Sequence, residues 1–236
     1  MKVRDDMKNQ KGFTLVEILA AMFIGLFLLG AIYVSLDSGR KSSVALESKI
    51  NAHQDTRAVL EVMATEISMA SYNSNFIPNI WLDPADCSKV STNQVYKGIQ
   101  AATANSLIVQ MDTDNSGTVG NGSNEVISYV YDTDNQQITR ATNCGGAVSF
   151  LGDVPGNPRS ERVVNSMLNP PIPIFTYFDG LGNPIPAGNL PANIPNIRRI
   201  QITLAVDTEN VDPNTFQRRR MIYTTSLVPK NHAACQ

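Results

Sequence analysis

Histidine and cysteine are scarce in this 236-residue chain, with two of the first and three of the second. That leaves little material for a His/Cys metal site or a histidine-based triad, and too few thiols for a disulfide-built scaffold. The HExxH, GxSxG and glycine-rich phosphate-binding patterns are missing. His53 lies in a helix-forming stretch and His232 near the C-terminus, so an enzyme is not expected. An excess of positive charge is missing too: 19 Lys and Arg face 21 Asp and Glu, for a net charge of −2. This excludes a nucleic-acid binder whose affinity comes from a basic face. Charged residues make up only 17%, but with 42% apolar residues the chain is too hydrophobic to be disordered.

What is present is unevenly distributed. Residues 1–12, MKVRDDMKNQKG, hold four basic and two acidic side chains. Residues 13–36 contain one charge, Glu17, and the run from Ile18 to Leu36 contains none. As a helix that run is about 28 Å long, close to the thickness of bilayer hydrocarbon. Lys2, Arg4, Lys8 and Lys11 before it outnumber Arg40 and Lys41 just after it, which keeps the leader cytoplasmic. The chain therefore reads as a single-pass membrane segment carrying a polar body on the far side. A cleavable secretory signal fits poorly, because the helical pattern continues beyond the apolar stretch.

Within this segment, Lys11-Gly12-Phe13-Thr14-Leu15-Val16-Glu17 departs from an ordinary anchor. A carboxylate one turn into an apolar helix costs roughly 2.5–3.5 kcal/mol at the bilayer centre and calls for a partner. The arrangement resembles the class III signal of type IV prepilins and type II secretion pseudopilins. The resemblance implies cleavage between Gly12 and Phe13 by a prepilin peptidase and N-methylation of the new Phe13 amine. It also implies a role for Glu17 in assembly, pairing with the N-terminal amine of a neighbouring subunit.

The organisation expected is a leader over 1–12, a transmembrane and assembly half of a long helix over 13–36, an amphipathic half over 37–75 and a β-rich domain over 76–236. A helix is predicted from Phe13 to about Ser71, with an apolar stripe at Leu46, Ile50, Leu60, Ala64 and Ile67, interrupted by His53 and Arg57. Gly25, Gly30 and Gly39 are its weak points. Pro78–Asn93 and Gly180–Pro195 read as loops. Strands are predicted at Ser106–Met111, Glu125–Tyr131, Gln137–Arg140, Ile174–Phe178, Arg199–Val206 (half-buried by its alternation) and Met221–Val228. A long helix on an antiparallel sheet is α+β, in agreement with the pilin-like fold that the resemblance implies.

Between two of these strands, Asp112-Thr-Asp114-Asn-Ser116-Gly117-Thr118 matches the first half of a calcium loop. Oxygen side chains stand at positions 1, 3 and 5, a glycine at 6 and a carbonyl donor at 7. Ser123 stands where the loop's bidentate glutamate belongs, and Glu125, two residues on, is the candidate to close the site. A metal-free Asx-rich hairpin is the equal alternative. Cys87 and Cys144 would close a loop as a disulfide, and Cys235 is the alternative partner of either.

The segments DTDNSGTVGNGSNEVISYVYD, ITRATNCGG, PIPIFTYFDGLGN and RRRMIYTTSLVPKN resemble the PilW-like minor pilins. This implies a minor pilin that helps initiate type IV pilus assembly near the fibre tip. The alternatives are a minor pseudopilin of type II secretion and a calcium-tuned adhesive fibre subunit. Implied partners are other pilins and minor pilins, the prepilin peptidase, the inner-membrane assembly machinery and the lipid bilayer before assembly, with no nucleic acid. The implied location is the inner membrane with a periplasmic C-terminal domain, and then the fibre at the cell surface.

Overall fold

The computed structural model describes residues 12–152, 161–208, 210–212 and 215–233. Helix α1 runs unbroken from Leu15 to Ser68. It is followed in order by strands β1 (Leu82–Asp83), β2 (Asp86–Val90), β3 (Ile99–Ala102), β4 (Ser106–Gln110), β5 (Val126–Asp132), β6 (Gln137–Thr142), β7 (Val148–Gly152), β8 (Arg162–Val163) and β9 (Phe175–Phe178). After these come the short helix α2 (Leu190–Asn193), strands β10 (Arg199–Asp207) and β11 (Arg220–Leu227), and the short helix α3 (Lys230–Ala233). One sheet has the order β3-β4-β5-β6-β7, a meander of antiparallel neighbours. In the second, β10 pairs with β11 on one side and with β8 and β9 on the other. The architecture is α+β: one long helix on antiparallel sheets.

The core joins α1 to both sheets through Met63 and Ile67 of the helix, Leu107, Ile127, Tyr129 and Ile138 of the first sheet, and Ile200, Ile202 and Leu204 of the second. The helix lies on this core with a face rotated from the predicted stripe. Ile67 and Leu60 are buried as expected and Ala64 is partly so, but Leu46 and Ile50 are 58% and 46% exposed. Ser48, Ala52, Thr56, Val59 and Met63 take their place. Small side chains at three of these positions permit close approach of the body, and the Ser48 hydroxyl accepts the Asn210 N–H at 3.4 Å. His53 is no gap in the contact, since its Nδ1 lies 3.0 Å from the Tyr223 hydroxyl on β11. Gly25, Gly30 and Gly39 lie within the continuous helix.

Other departures have local causes. The Pro78–Asn93 segment contains the β1–β2 hairpin, and β3, β7 and β8 were not read from the sequence because each is short and weakly patterned. Gly180–Pro195 includes the single turn α2. Arg199–Val206 is not half-buried: Ile202 to Val206 are buried on both faces, as befits a strand paired on both edges and covered by α1. The helix ends at Ser68, short of the expected boundaries, where Ser71 adopts a positive φ of 67°. Its N–H donates to the Gln110 carbonyl at 2.9 Å, and Gly98 packs so tightly here that a Cβ would strike the backbone of Ser71 and Gln110.

Candidate functional site

The first site is the start of α1. Thr14 is the N-cap, and its hydroxyl accepts the Glu17 N–H at 3.3 Å. Glu17 Oε2 accepts from the Thr14 N–H at 2.8 Å and from the Thr14 hydroxyl at 2.9 Å. This reciprocal capping box satisfies donors that a helix start leaves open, and a carboxylate there also meets the positive end of the helix dipole. Phe13, next to the predicted scissile bond, is 84% exposed. From Leu15 to Leu36 no residue is buried, so the apolar half of α1 projects free of the body. Gly12 and Phe13 lie in the short non-helical stretch before α1, whereas residues 1–11 of the leader lie outside the described residues.

The second site is the connection from β4 to β5. One oxygen each of Asp112, Asp114 and Glu125 falls within 4.8 Å of the others. Asp112 and Glu125 are fully buried and Asp114 is exposed. Backbone donors hold all three. Asp112 accepts from Ser116 N–H and Gly117 N–H, each at 3.0 Å, and Asp114 from Ser116 N–H at 2.9 Å. Glu125 accepts from Thr113 N–H at 3.1 Å and from Gly120 and Gly122 N–H at 2.9 Å. The Ser116 hydrogen bonds hold the Asp114 carboxyl below its ordinary value. The Ser116 hydroxyl also donates to the Thr118 carbonyl at 3.1 Å. A Cβ on Gly122 would stand 2.7 Å from Glu125 Oε1 and 3.0 Å from Asp114 Oδ2, so glycine leaves room for the carboxylates to converge. Three carboxylates are a hard-oxygen donor set of the kind Ca²⁺ takes. Glu125 thus joins Asp112 and Asp114 despite its displaced position in the motif.

Asn143 holds this loop to the sheet, a role the sequence did not reveal. Its Oδ1 accepts from Glu125 and Val126 N–H at 3.1 and 3.0 Å, and its Nδ2 donates to the Gly122 carbonyl at 2.7 Å. The next residue, Cys144, is joined in a disulfide to Cys87, with Cα atoms 6.1 Å apart. Cys235 lies outside the described residues. Ile80, Trp81, Val119 and Val126 form a small apolar cluster beside the loop, with Cys87 packed on it.

Two polar clamps fix α1 to the body. Arg140 on β6 forks onto Glu66 of α1, at 2.6 Å to Oε1 and 3.1 Å to Oε2, and the Tyr129 hydroxyl donates to the same carboxylate. Burial, with the Glu66 bond behind it, pushes the Tyr129 phenol well up. His232, 2% exposed, has Nδ1 2.9 Å from the Ser71 hydroxyl and Nε2 2.9 Å from the Ile194 carbonyl. Such partners, 38 to 161 residues apart in the chain, leave no spacing signal.

Compared with known families, residues 7–33 match the model of the prokaryotic N-terminal methylation motif. No curated protein and no solved structure matches the chain. The match supports a prepilin-type class III signal at the N-terminus, of the kind that type IV pilin-like and pseudopilin-like precursors carry. It implies processing by prepilin peptidase, membrane anchoring before assembly, and assembly with other pilins.

Proposed function

We propose that this chain is a minor pilin of the PilW kind, incorporated into a type IV pilus and helping to start its assembly near the tip. The observation that carries the reading is the methylation motif heading an apolar helix that runs, without a break, from a free membrane-length half into the core of a β-rich body. Such a chain has one part that a bilayer or a fibre core must cover and another that folds around the same helix. The role is structural rather than catalytic. Glu17 fits it as an assembly contact: its capping bonds to Thr14 are local and exposed, and a neighbour's ammonium offers a charge-assisted partner that strengthens in low dielectric. The periplasm is the fitting side for the body before assembly. Calcium, if bound at Asp112, Asp114 and Glu125, would order the β4–β5 connection.

The test has two parts. Mass spectrometry of the purified mature chain should find an N-terminus at methylated Phe13. Glu17→Ala should leave insertion and cleavage intact and lower the amount of the chain in sheared fibres. Wild-type incorporation of the alanine variant would remove Glu17 from assembly. Recovery with a secretion pseudopilus instead of a pilus would favour the minor pseudopilin, which shares the same N-terminal chemistry.

A further inference from the structure

The turn between β10 and β11 carries Phe216, 81% exposed, followed by Arg218, Arg219 and Arg220. A hydrogen bond from Phe216 N–H to the Asp212 carbonyl at 2.8 Å shapes the turn. An aromatic ring in water beside three guanidinium groups has no role in the core or in either site described above.

Its position along α1 suggests one. Arg219 and Asp212 line a cleft with Ser42, Leu46 and Lys49. Tyr223 meets His53, and Thr224 and Thr225 line a cleft with Arg57 and Glu61. Advancing along β11 therefore means advancing along α1 away from the apolar half, and the turn before β11 points back toward it. Leu46 stands ten residues beyond Leu36, the last residue of the uncharged run, which is about 15 Å of helix. Three residues back from Arg219 to Phe216 bring the ring down by up to about 10 Å. It then lies between about 5 and 15 Å outside the hydrocarbon, at or just above a headgroup layer roughly 5–7 Å thick, and the long arginine side chains beside it extend the reach toward that layer. An apolar ring on a basic surface inserts at the boundary of headgroups and acyl chains, and arginine reaches phosphate oxygens beside it. The arginines have donors to spare. Arg218 donates to the Thr208 carbonyl at 2.8 Å, Arg219 holds Asp212 and Arg220 holds Asp207, each with one or two of its five N–H groups.

We propose that the β10–β11 turn, through Phe216 and the arginines at 218–220, docks on the phospholipid headgroups of the bilayer that α1 spans. The contact fixes how the β-rich body sits above the membrane before assembly. It rests on the reading of α1 as membrane-spanning, and continues along the body the contact that the helix makes within the bilayer.

The test uses the full-length chain in vesicles of phosphatidylethanolamine and phosphatidylglycerol, with an indole introduced by Phe216→Trp. Leu181→Trp is the control. It follows Phe178, which pairs with Arg199 at the end of β10 remote from the turn. The native Trp81 is 3% exposed, and its emission is subtracted using the wild type. The Phe216→Trp chain should show blue-shifted emission that brominated phospholipids quench, while the Leu181→Trp chain shows neither. Adding Arg218→Glu should reduce the quenching, and unchanged quenching would remove the arginines from the contact. A chain that alkaline carbonate washes off the vesicles overturns the spanning reading and the proposal with it. A chain that stays but shows red, unquenched emission from position 216 overturns the proposal alone. Blue-shifted but unquenched emission also overturns it, because protein rather than lipid then covers the ring.

Discussion

Acid should weaken the body of this protein through His232. The ring is enclosed between Ser71 beyond the exit of α1, the chain at Lys97 and the turn at Ile194. Its Nε2–H donates to the Ile194 carbonyl, so Nδ1 is left to accept the Ser71 hydroxyl, which in turn accepts the Gly98 N–H at 2.9 Å. A proton on Nδ1 would turn that acceptor into a second donor facing a hydroxyl already in use. Burial is the main cause that lowers His232 to about 4; the Ile194 bond opposes it, and the positive charges of Lys97 and Arg198 lower it further. In the unfolded chain the ordinary value is 6.5. The folded value is the lower one, so the unfolded state takes up the proton first. Stability is fully present above pH 6.5, falls as pH drops from 6.5 to about 4, and the His232 contribution is then exhausted. A difference of about 2.5 units at 1.36 kcal/mol each is about 3 kcal/mol. Urea unfolding of the full chain in detergent, followed by the fluorescence of buried Trp81, should be measured between pH 7.5 and 4 for the wild type and His232→Gln. Carboxylates titrate in both chains and cancel in the difference. The wild type should be the more stable at pH 7.5 and should lose about 3 kcal/mol more than the variant on the way to pH 4. Parallel pH profiles, or a His232 ring that titrates near 6.5 by NMR, would refute the reasoning.

Other expectations follow from the same contacts. Gly12→Val should leave an unprocessed, membrane-held precursor, because a branched side chain stands at the bond to be cut; a mature chain beginning at Phe13 in that variant would contradict the signal assignment. Glu66→Ala strands the Arg140 guanidinium, and because both side chains are 18–19% exposed the cost should be roughly 2–3 kcal/mol, below that of a fully buried pair. Denaturant unfolding of Glu66→Ala and of Glu66→Ala/Arg140→Met checks this, with the double variant expected to recover part of the loss. Calcium should raise the melting temperature of the wild type, by about 2.7 kcal/mol of added stability at one hundred times Kd. The rise should vanish in Asp112→Ala/Asp114→Ala, and no heat of calcium binding at 10 mM would mark the loop as a metal-free hairpin.

The acidic loop shows how far a linear pattern reaches. Asp112 and Asp114 belong to a spacing that calls for a sharp turn, and the turn forms. The place of Glu125 in the cluster depends on how the chain folds back through Gly120 and Gly122, and on Asn143, which arrives from β6. The Cys87–Cys144 pairing likewise needed the two strand ends to be brought together. In α1, the apolar period was legible but its phase was not. Leu46 and Ile50 look like core residues by hydrophobicity, yet the body approaches over Ser48, Ala52 and Thr56, where small side chains allow it.

The sequence by itself determined the processing signal, the membrane-length apolar run, the long helix and the α+β class, because each rests on neighbours a few residues apart and on periods of 3.6 or 2. Only the tertiary structure decided which face of α1 is buried, that β10 is enclosed on both sides, and that Glu66, Arg140, Ser71 and His232 join the helix to the body. These depend on contacts between different elements of the fold, and their energies belong to the packed arrangement rather than to any stretch of chain.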